Sequence, residues 1–271
     1  MPSCGLKRHV VSYLRSSHKR PSKKLGQSFL IDCSVAKRIA YSVWGTVYEI
    51  GVGLGSLTFF LSKRAPYVVG IEVDENLARY MWETLSLQNV DLIIGDALHF
   101  IPKYKFDSIV SNVPYSISSP LFLHLCKHLR FENAVLMFQK EFAERLLAAP
   151  GSKKYGRLTI LSSLCFYVEP LFYVKREAFI PSPKIDSLVL KVVKKSVDKT
   201  ALNLVEEVTR RIFTYRRRVL RWVLKKEFCA VNAPKGLGDK RVYTLSPQEM
   251  IELAFWLYDK GYIEPPINDR P

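Results

Sequence analysis

The chain has 271 residues, 48% of them hydrophobic, and a net charge of +16, which excludes a disordered polypeptide and suits one large domain or two unequal ones around a packed core. Its longest stretch without Lys, Arg, Asp or Glu, from Ser108 to Cys126, holds Asn112, Pro114 and Pro120 and reads as a strand, a turn and a helix start, not a membrane span. No charged-then-apolar leader opens it, so the expectation is a cytoplasmic protein without membrane association.

Residues 1–24 form a basic arm with seven Lys or Arg and no acid. From residue 46 to 139 apolar runs alternate with amphipathic stretches. The pattern predicts strands over 47–50, 67–73, 90–94, 107–110 and 134–138, and helices over 57–64, 75–87, 120–129 and 140–149. Short buried strands spaced by helices make a parallel α/β sheet. Another helix is predicted over 155–166. Strands over 171–174 and 187–193 then flank Phe179-Ile-Pro-Ser-Pro183 and can close the sheet as an antiparallel hairpin.

Beyond residue 193 the texture is helical. Val208, Ile212, Tyr215, Val219 and Val223 share one helical face, with Arg210, Arg211, Arg217, Arg218, Arg221 and Lys225 off it. Ser246-Pro247 reads as an N-cap with proline at the first position of a last helix. The expected organisation is the arm at 1–24, an α/β domain at 25–193 and a basic helical domain at 194–271. Residues 25–193 are nearly balanced, with 18 basic and 15 acidic side chains, so the charge sits at the two ends. That distribution suits a polyanion such as nucleic acid, although surplus lysine also serves solubility.

Four motifs follow successive strands. Glu49-Ile-Gly-Val-Gly-Leu-Gly55 allows a tight turn and close approach of a ligand to the backbone, and its third glycine comes one residue early for the dinucleotide Gly-x-Gly-x-x-Gly pattern. Glu72 ends the second strand, where a carboxylate can accept both ribose hydroxyls of a nucleoside or simply face solvent. Asp96, after the third strand, can accept from an adenine amino group or serve its own turn. After the fourth strand comes Asn112-Val-Pro-Tyr115. An exocyclic amine on a nucleobase is a poor nucleophile because its lone pair is delocalised into the ring. The Asn112 amide oxygen and a carbonyl freed by the turn around Val113-Pro114 can accept its hydrogens and turn that lone pair outward. Tyr115 offers a face for a flipped base.

Read together, these motifs resemble the KsgA-type rRNA adenine N6,N6-dimethyltransferases, a family of class I S-adenosylmethionine (SAM) enzymes. The resemblance also rests on Leu25-Gly-Gln-Ser-Phe-Leu-Ile-Asp32, Ile71-Glu-Val-Asp74, Gly95-Asp-Ala97, Gln139-Lys-Glu141, Tyr155-Gly-Arg157 and Ala178-Phe-Ile-Pro-Ser-Pro-Lys-Ile-Asp-Ser187. It implies a Rossmann-like class I methyltransferase with a mostly parallel seven-stranded sheet and a small C-terminal α-helical domain. It implies that Gln27, Ser28 and Leu30 cover the SAM, that Gly51 touches its amino-acid end within the turn shared with Gly53, and that Glu72 holds its ribose and Asp96 its adenine. Asn112 is implied to contact both SAM and the target amine, with Pro114 shaping the turn, while Tyr115 and Phe179 sandwich the adenine. Where the family has Asn or His this chain has Ser28, and Ser182 stands between the loop prolines.

The implied activity is dimethylation of two adjacent adenosines in a 3′-terminal hairpin of small-subunit ribosomal RNA, by a monomer acting on small-subunit precursors during ribosome biogenesis. Arg216, Arg217, Arg218 and Arg221, placed on the first C-terminal helix, are expected to contact RNA phosphates, as are Lys19, Arg20, Lys23 and Lys24 ahead of the SAM-covering block. Alternatives within reach of the same motifs are a large-subunit methyltransferase of the antibiotic-resistance type and a non-catalytic nucleic-acid-binding or assembly factor of the same descent. No metal is expected. The five cysteines are scattered without a Cys-x-x-Cys pair, which fits a reducing compartment and gives no support for zinc or a disulfide framework. No Pro-Cys dipeptide supplies a covalent nucleophile, and none of the five histidines stands in a motif with a paired acid.

Overall fold

The computed structural model describes residues 5–17, 20–22 and 24–264. Its elements run α1 (Leu6–Ser16), β1 (Phe29–Leu30), α2 (Cys33–Ala40), β2 (Val47–Ile50), α3 (Thr58–Leu61), β3 (Val68–Glu72), α4 (Glu75–Leu85), β4 (Val90–Ile94) and β5 (Phe106–Asn112). They continue with α5 (Ser118–Lys127), β6 (Phe131–Gln139), α6 (Lys140–Leu146), α7 (Arg157–Cys165), β7 (Phe166–Val174), β8 (Phe179–Ile180), β9 (Ser187–Lys194), α8 (Lys199–Ile212), α9 (Leu220–Phe228) and α10 (Pro247–Asp259). Two compact units emerge. The first holds residues up to 143 with 169–194, and the second holds 144–168 with those from 195 onward.

The first unit is built on a seven-stranded sheet of order β4-β3-β2-β5-β6-β9-β7. β4, β3, β2, β5 and β6 are mutually parallel, and β9 runs antiparallel to β6. All four residues of β2 are buried, as expected of a central strand covered on both faces. Asp32 caps α2 by accepting from the Ser34 and Val35 amides, and Asp74 caps α4 through Asn76, each satisfying backbone donors that a helix start leaves open. A second, two-stranded sheet pairs β1 with β8, setting Phe29 opposite Ile180 and Leu30 opposite Phe179. The sequence pattern gave no sign of it. The basic arm contains α1, whose Val10 and Tyr13 pack with Phe29, Leu54 and Leu77.

The second unit is helical, with α8 packed against α7 and α10. Ser246 caps α10 in a reciprocal box, its hydroxyl accepting from the Glu249 amide while the Glu249 carboxylate accepts from the Ser246 amide, and Pro247 stands at the helix start as expected. Residues 144–168, inside the expected 25–193 domain, go with this unit.

Three expectations are corrected. The continuous helix over 208–223 is broken: α8 stops at Ile212, a 3₁₀ turn takes Phe213–Tyr215, and α9 begins at Leu220. Arg216, Arg217 and Arg218 therefore lie in the connection, with Arg221 on α9. The cause is tertiary pairing: Val219 bridges Arg241, while Leu220 N donates to Lys240 O and Val242 N to Arg218 O, an extended geometry that overrides helical periodicity. One part of the cysteine reading, the lack of support for disulfides, is also corrected. Cys33, Cys126 and Cys165 are disulfide-bonded, whereas Cys229 is free and exposed. Linear spacing does not report which Cβ vectors a fold brings together. Cys4, His18, Lys19 and Lys23 lie outside the described residues. The third correction concerns the predicted helix over 57–64, which shortens to α3.

Candidate functional site

The carboxyl ends of the parallel strands converge on one cleft, where ligands of open α/β sheets bind. The register sets Glu49 opposite Val110, so Gly51 and Asn112 leave the sheet at the same level. The Ser111 hydroxyl donates to Ile50 O at 2.7 Å and ties the two strand ends. Gly51 and Gly53 adopt left-handed conformations, which a side chain would strain. The cleft has about 900 Å³ of empty space, part of it open to solvent.

Gln27, Ser28, Leu30, Gly51, Gly53, Glu72, Asp96, Asn112, Pro114 and Tyr115 all line this cleft. Glu72 is 7% exposed. Its Oε2 accepts from Gly53 N at 2.8 Å and its Oε1 from Asp74 N at 2.9 Å, so the carboxylate is fixed and keeps lone pairs for a ligand. Burial nevertheless raises its pKa, against the pull of those amides. Asp96 accepts from Leu98 N at 2.9 Å and lies 3.2 Å from the His99 ring. Its turn role and its place in the cleft coexist, and the reading that no histidine has a paired acid is corrected at His99.

The segment 25–30 lies against the Asn112–Tyr115 turn. Asn112 Nδ2 donates to Ser28 O at 3.1 Å, which commits the amide nitrogen and leaves Oδ1 as the acceptor. A Cβ at Gly26 would come within 3.1–3.2 Å of the Tyr115 and Ser116 amides and the Ser116 hydroxyl, and its φ of 65° is left-handed, so a side chain there would crowd the turn and strain the backbone. The Ser28 hydroxyl donates to Pro181 O at 2.9 Å. Gln27 bridges Ser22 N and the Asp74 carboxylate. Burial alone would raise Asp74, but hydrogen bonds from Gln27 and Asn76 bring it below the ordinary carboxylate value.

Within the turn, Ile117 N donates to Pro114 O at 3.0 Å. The carbonyl left open is that of Val113, which accepts no backbone hydrogen bond among the described residues. Tyr115 is half-buried with its hydroxyl 3.2 Å from Ser187 Oγ, and burial raises its pKa. Phe179 is not brought to the cleft. Its side chain is 2% exposed and packs in the core with Leu30 and Val189.

Glu49, the first residue of the glycine motif, is a cleft residue that the motif alone does not assign. It lines the cleft at 1% exposure, and its Oε2 is buried without a hydrogen-bond partner. Burial pushes its carboxyl up to about 8; hydrogen bonding with Thr58 opposes the rise and the Glu72 charge adds to it. The available signal was its place inside a fully buried strand, where a carboxylate is rarely retained without a use.

In the second unit the arginines separate. Arg216 Nη2 donates to Ser152 O and Lys153 O at 3.2 and 3.1 Å, a structural commitment. Arg221 pairs with Asp239 at 2.9 Å between exposed side chains, worth at most about 1 kcal/mol. Arg217 and Arg218 are exposed. Among the described residues no cluster of His, Cys, Asp and Glu could hold a metal ion, and no helix is long and apolar enough to cross a membrane.

A family model for ribosomal RNA adenine dimethylase matches residues 18–258. A probable ribosomal RNA small subunit methyltransferase A of Thermococcus gammatolerans is 37% identical over 268 residues, covering 94% of this chain and 95% of the relative. Its counterpart in Methanothermobacter thermautotrophicus is 35% identical over 270 residues, covering 94% and 97%. Among solved structures, a dimethyladenosine transferase from Plasmodium falciparum is similar with a TM-score of 0.73 and 30% identity over 86% of this chain and 98% of that one. The 23S rRNA methyltransferase ErmE is similar with a TM-score of 0.65 and 27% identity, over 84% and 98%.

Proposed function

The chain belongs to the ribosomal RNA adenine dimethylase family, and on that premise we propose that it dimethylates N6 of adenosines in small-subunit ribosomal RNA, using SAM, at two adjacent positions of a 3′-terminal hairpin. The observation that carries the reading is the seating of Asn112 at the cleft, its Nδ2 spent on Ser28 O so that Oδ1 faces the chemistry as an acceptor.

The cleft suits the cofactor: it combines backbone exposed at two glycines, a fixed carboxylate at Glu72 and a second carboxylate at Asp96. Glu72 would hold the ribose hydroxyls, Asp96 the adenine amine and Gly51 with Gly53 the amino-acid end, while Leu30 and the backbone of Gln27 and Ser28 would cover them. When bound, SAM supplies an electrophilic methyl group. Asn112 Oδ1 and Val113 O accept the hydrogens of the target amine and turn its lone pair out of the ring. Pro114 holds that turn, and Tyr115 presents a stacking face to the flipped adenine. Phe179 supports β8 from within the core; serving as a second stacking face requires its ring to leave that core. Positioning with exclusion of water carries the rate. The released proton goes to water.

A monomer working in the cytoplasm on small-subunit precursors completes the reading. The large-subunit alternative is less favoured, since the small-subunit relatives are more similar than ErmE over a larger share of this chain. Small subunits lacking the modification, incubated with the protein and labelled SAM, should yield labelled N6,N6-dimethyladenosine on nucleoside mass spectrometry. No label in small-subunit RNA, whether or not large subunits treated in parallel acquire it, overturns the proposal.

A further inference from the structure

On the second unit, the buried face of α9 is made by Leu220, Val223, Leu224 and Phe228. Trp222 points away from that core and is 44% exposed. Its ring stands edge-on to Tyr215, with centroids 5.5 Å apart and planes at 71°. Two cations attend it: the Arg218 guanidinium lies 5.2 Å from the Trp222 centroid, and Lys226 Nζ lies 5.2 Å from Trp222 and 4.7 Å from Tyr215. Arg218 and Lys226 are themselves exposed.

A large aromatic on a solvent face gains nothing from the core, and exposed cation–π contacts stabilise by only about 0.5–1 kcal/mol each. Stacking of an unpaired nucleobase on an aromatic ring is worth more, about 1–3 kcal/mol. A base arriving at Trp222 therefore displaces the flexible ammonium, and the displaced cation finds a phosphate on the same strand. Duplex RNA has no free base face to offer, so the site distinguishes unpaired from paired RNA.

We propose that Trp222 is a stacking platform for an unpaired base of the RNA substrate, with Arg218 and Lys226 gripping the adjoining phosphates and Tyr215 bracing the indole. This rests on the reading of the chain as an RNA-modifying enzyme and names a second RNA contact, separate from the methylated adenosine.

The test is equilibrium binding of the full chain to a short single-stranded oligoribonucleotide, to the corresponding duplex and to polyphosphate, each across a salt series. Trp222→Ala should weaken single-strand binding about five- to hundredfold, leave its salt slope unchanged and leave polyphosphate binding unaltered. Trp222→Phe should keep most of the affinity, and Lys226→Ala should lower the slope by about 0.7. Wild-type affinity for the single strand in Trp222→Ala, an equal loss for polyphosphate, or no measurable single-strand binding by the wild type overturns the proposal. Methylation of small subunits is scored separately: loss of that activity with intact oligonucleotide stacking removes the enzymatic reading and leaves this one standing.

Discussion

Glu72 has two tasks in the proposed reading, since the oxygens that would meet a ribose also hold the amides of Gly53 and Asp74. Glu72→Ala should weaken SAM binding by about 1.5–3 kcal/mol, roughly ten- to hundredfold, and calorimetry on a protein with an unchanged melting profile checks it. Glu49 makes a different prediction. Its carboxyl is raised from 4.5 to about 8 by burial, so between those values the unfolded chain has lost a proton that the folded chain keeps. The Glu49 contribution to stability is complete below about 4.5, falls as pH rises and levels off above about 8. Glu49→Gln should flatten that decline, and denaturant titrations at pH 5 and pH 8 measure it. An equally steep decline in the variant removes Glu49 as its source. Asn112, Glu72 and Asp96 were legible because each stands at or just past the end of a strand, and strand ends are readable from apolar runs. Burial of Phe179 and the carbonyl commitments of Arg216 were not, because they depend on partners remote in sequence.

At the scale of elements, the short β1–β8 pair is what the apolar pattern missed: two residues a strand are below any periodicity. It links the segment that covers the cleft to the Phe179–Pro183 loop, and Ser28 reinforces it through Pro181 O. Ser28→Ala should reduce turnover about three- to tenfold, the worth of one hydrogen bond of roughly 0.5–1.5 kcal/mol, with SAM affinity unchanged, and Ser28→Thr should restore it. Comparison of single-turnover rates with calorimetry separates the two effects. The break between α8 and α9 was illegible for a similar reason, since pairing of residues 218–220 with 240–242 outcompetes a sequence whose local pattern is helical. It divides the arginines by role. Arg216→Ala should lower stability by about 1–2 kcal/mol through two carbonyls left without their donor. Arg217→Ala with Arg218→Ala should leave the melting temperature alone and flatten the salt dependence of RNA binding by about 1.4–1.8. Reversed outcomes, with Arg216 governing the slope, would return it to the RNA surface.

For the whole molecule, the parallel sheet and its cleft were legible because five apolar strands and their intervening helices repeat one pattern. The assignment of residues 144–168 to the helical unit was not, because a helix carries no mark of which layer it will join. In the proposed reading the first unit carries the chemistry, and the helical unit offers Arg217, Arg218 and the Trp222 face to RNA. The central claim is that Asn112 makes the amine a nucleophile. Single-turnover methylation of small subunits by Asn112→Ala, at saturating SAM and RNA, tests it most directly. Loss of an acceptor used in the transition state predicts a rate lowered by about 10²–10³ with RNA affinity retained. A rate near that of the wild type would contradict the account.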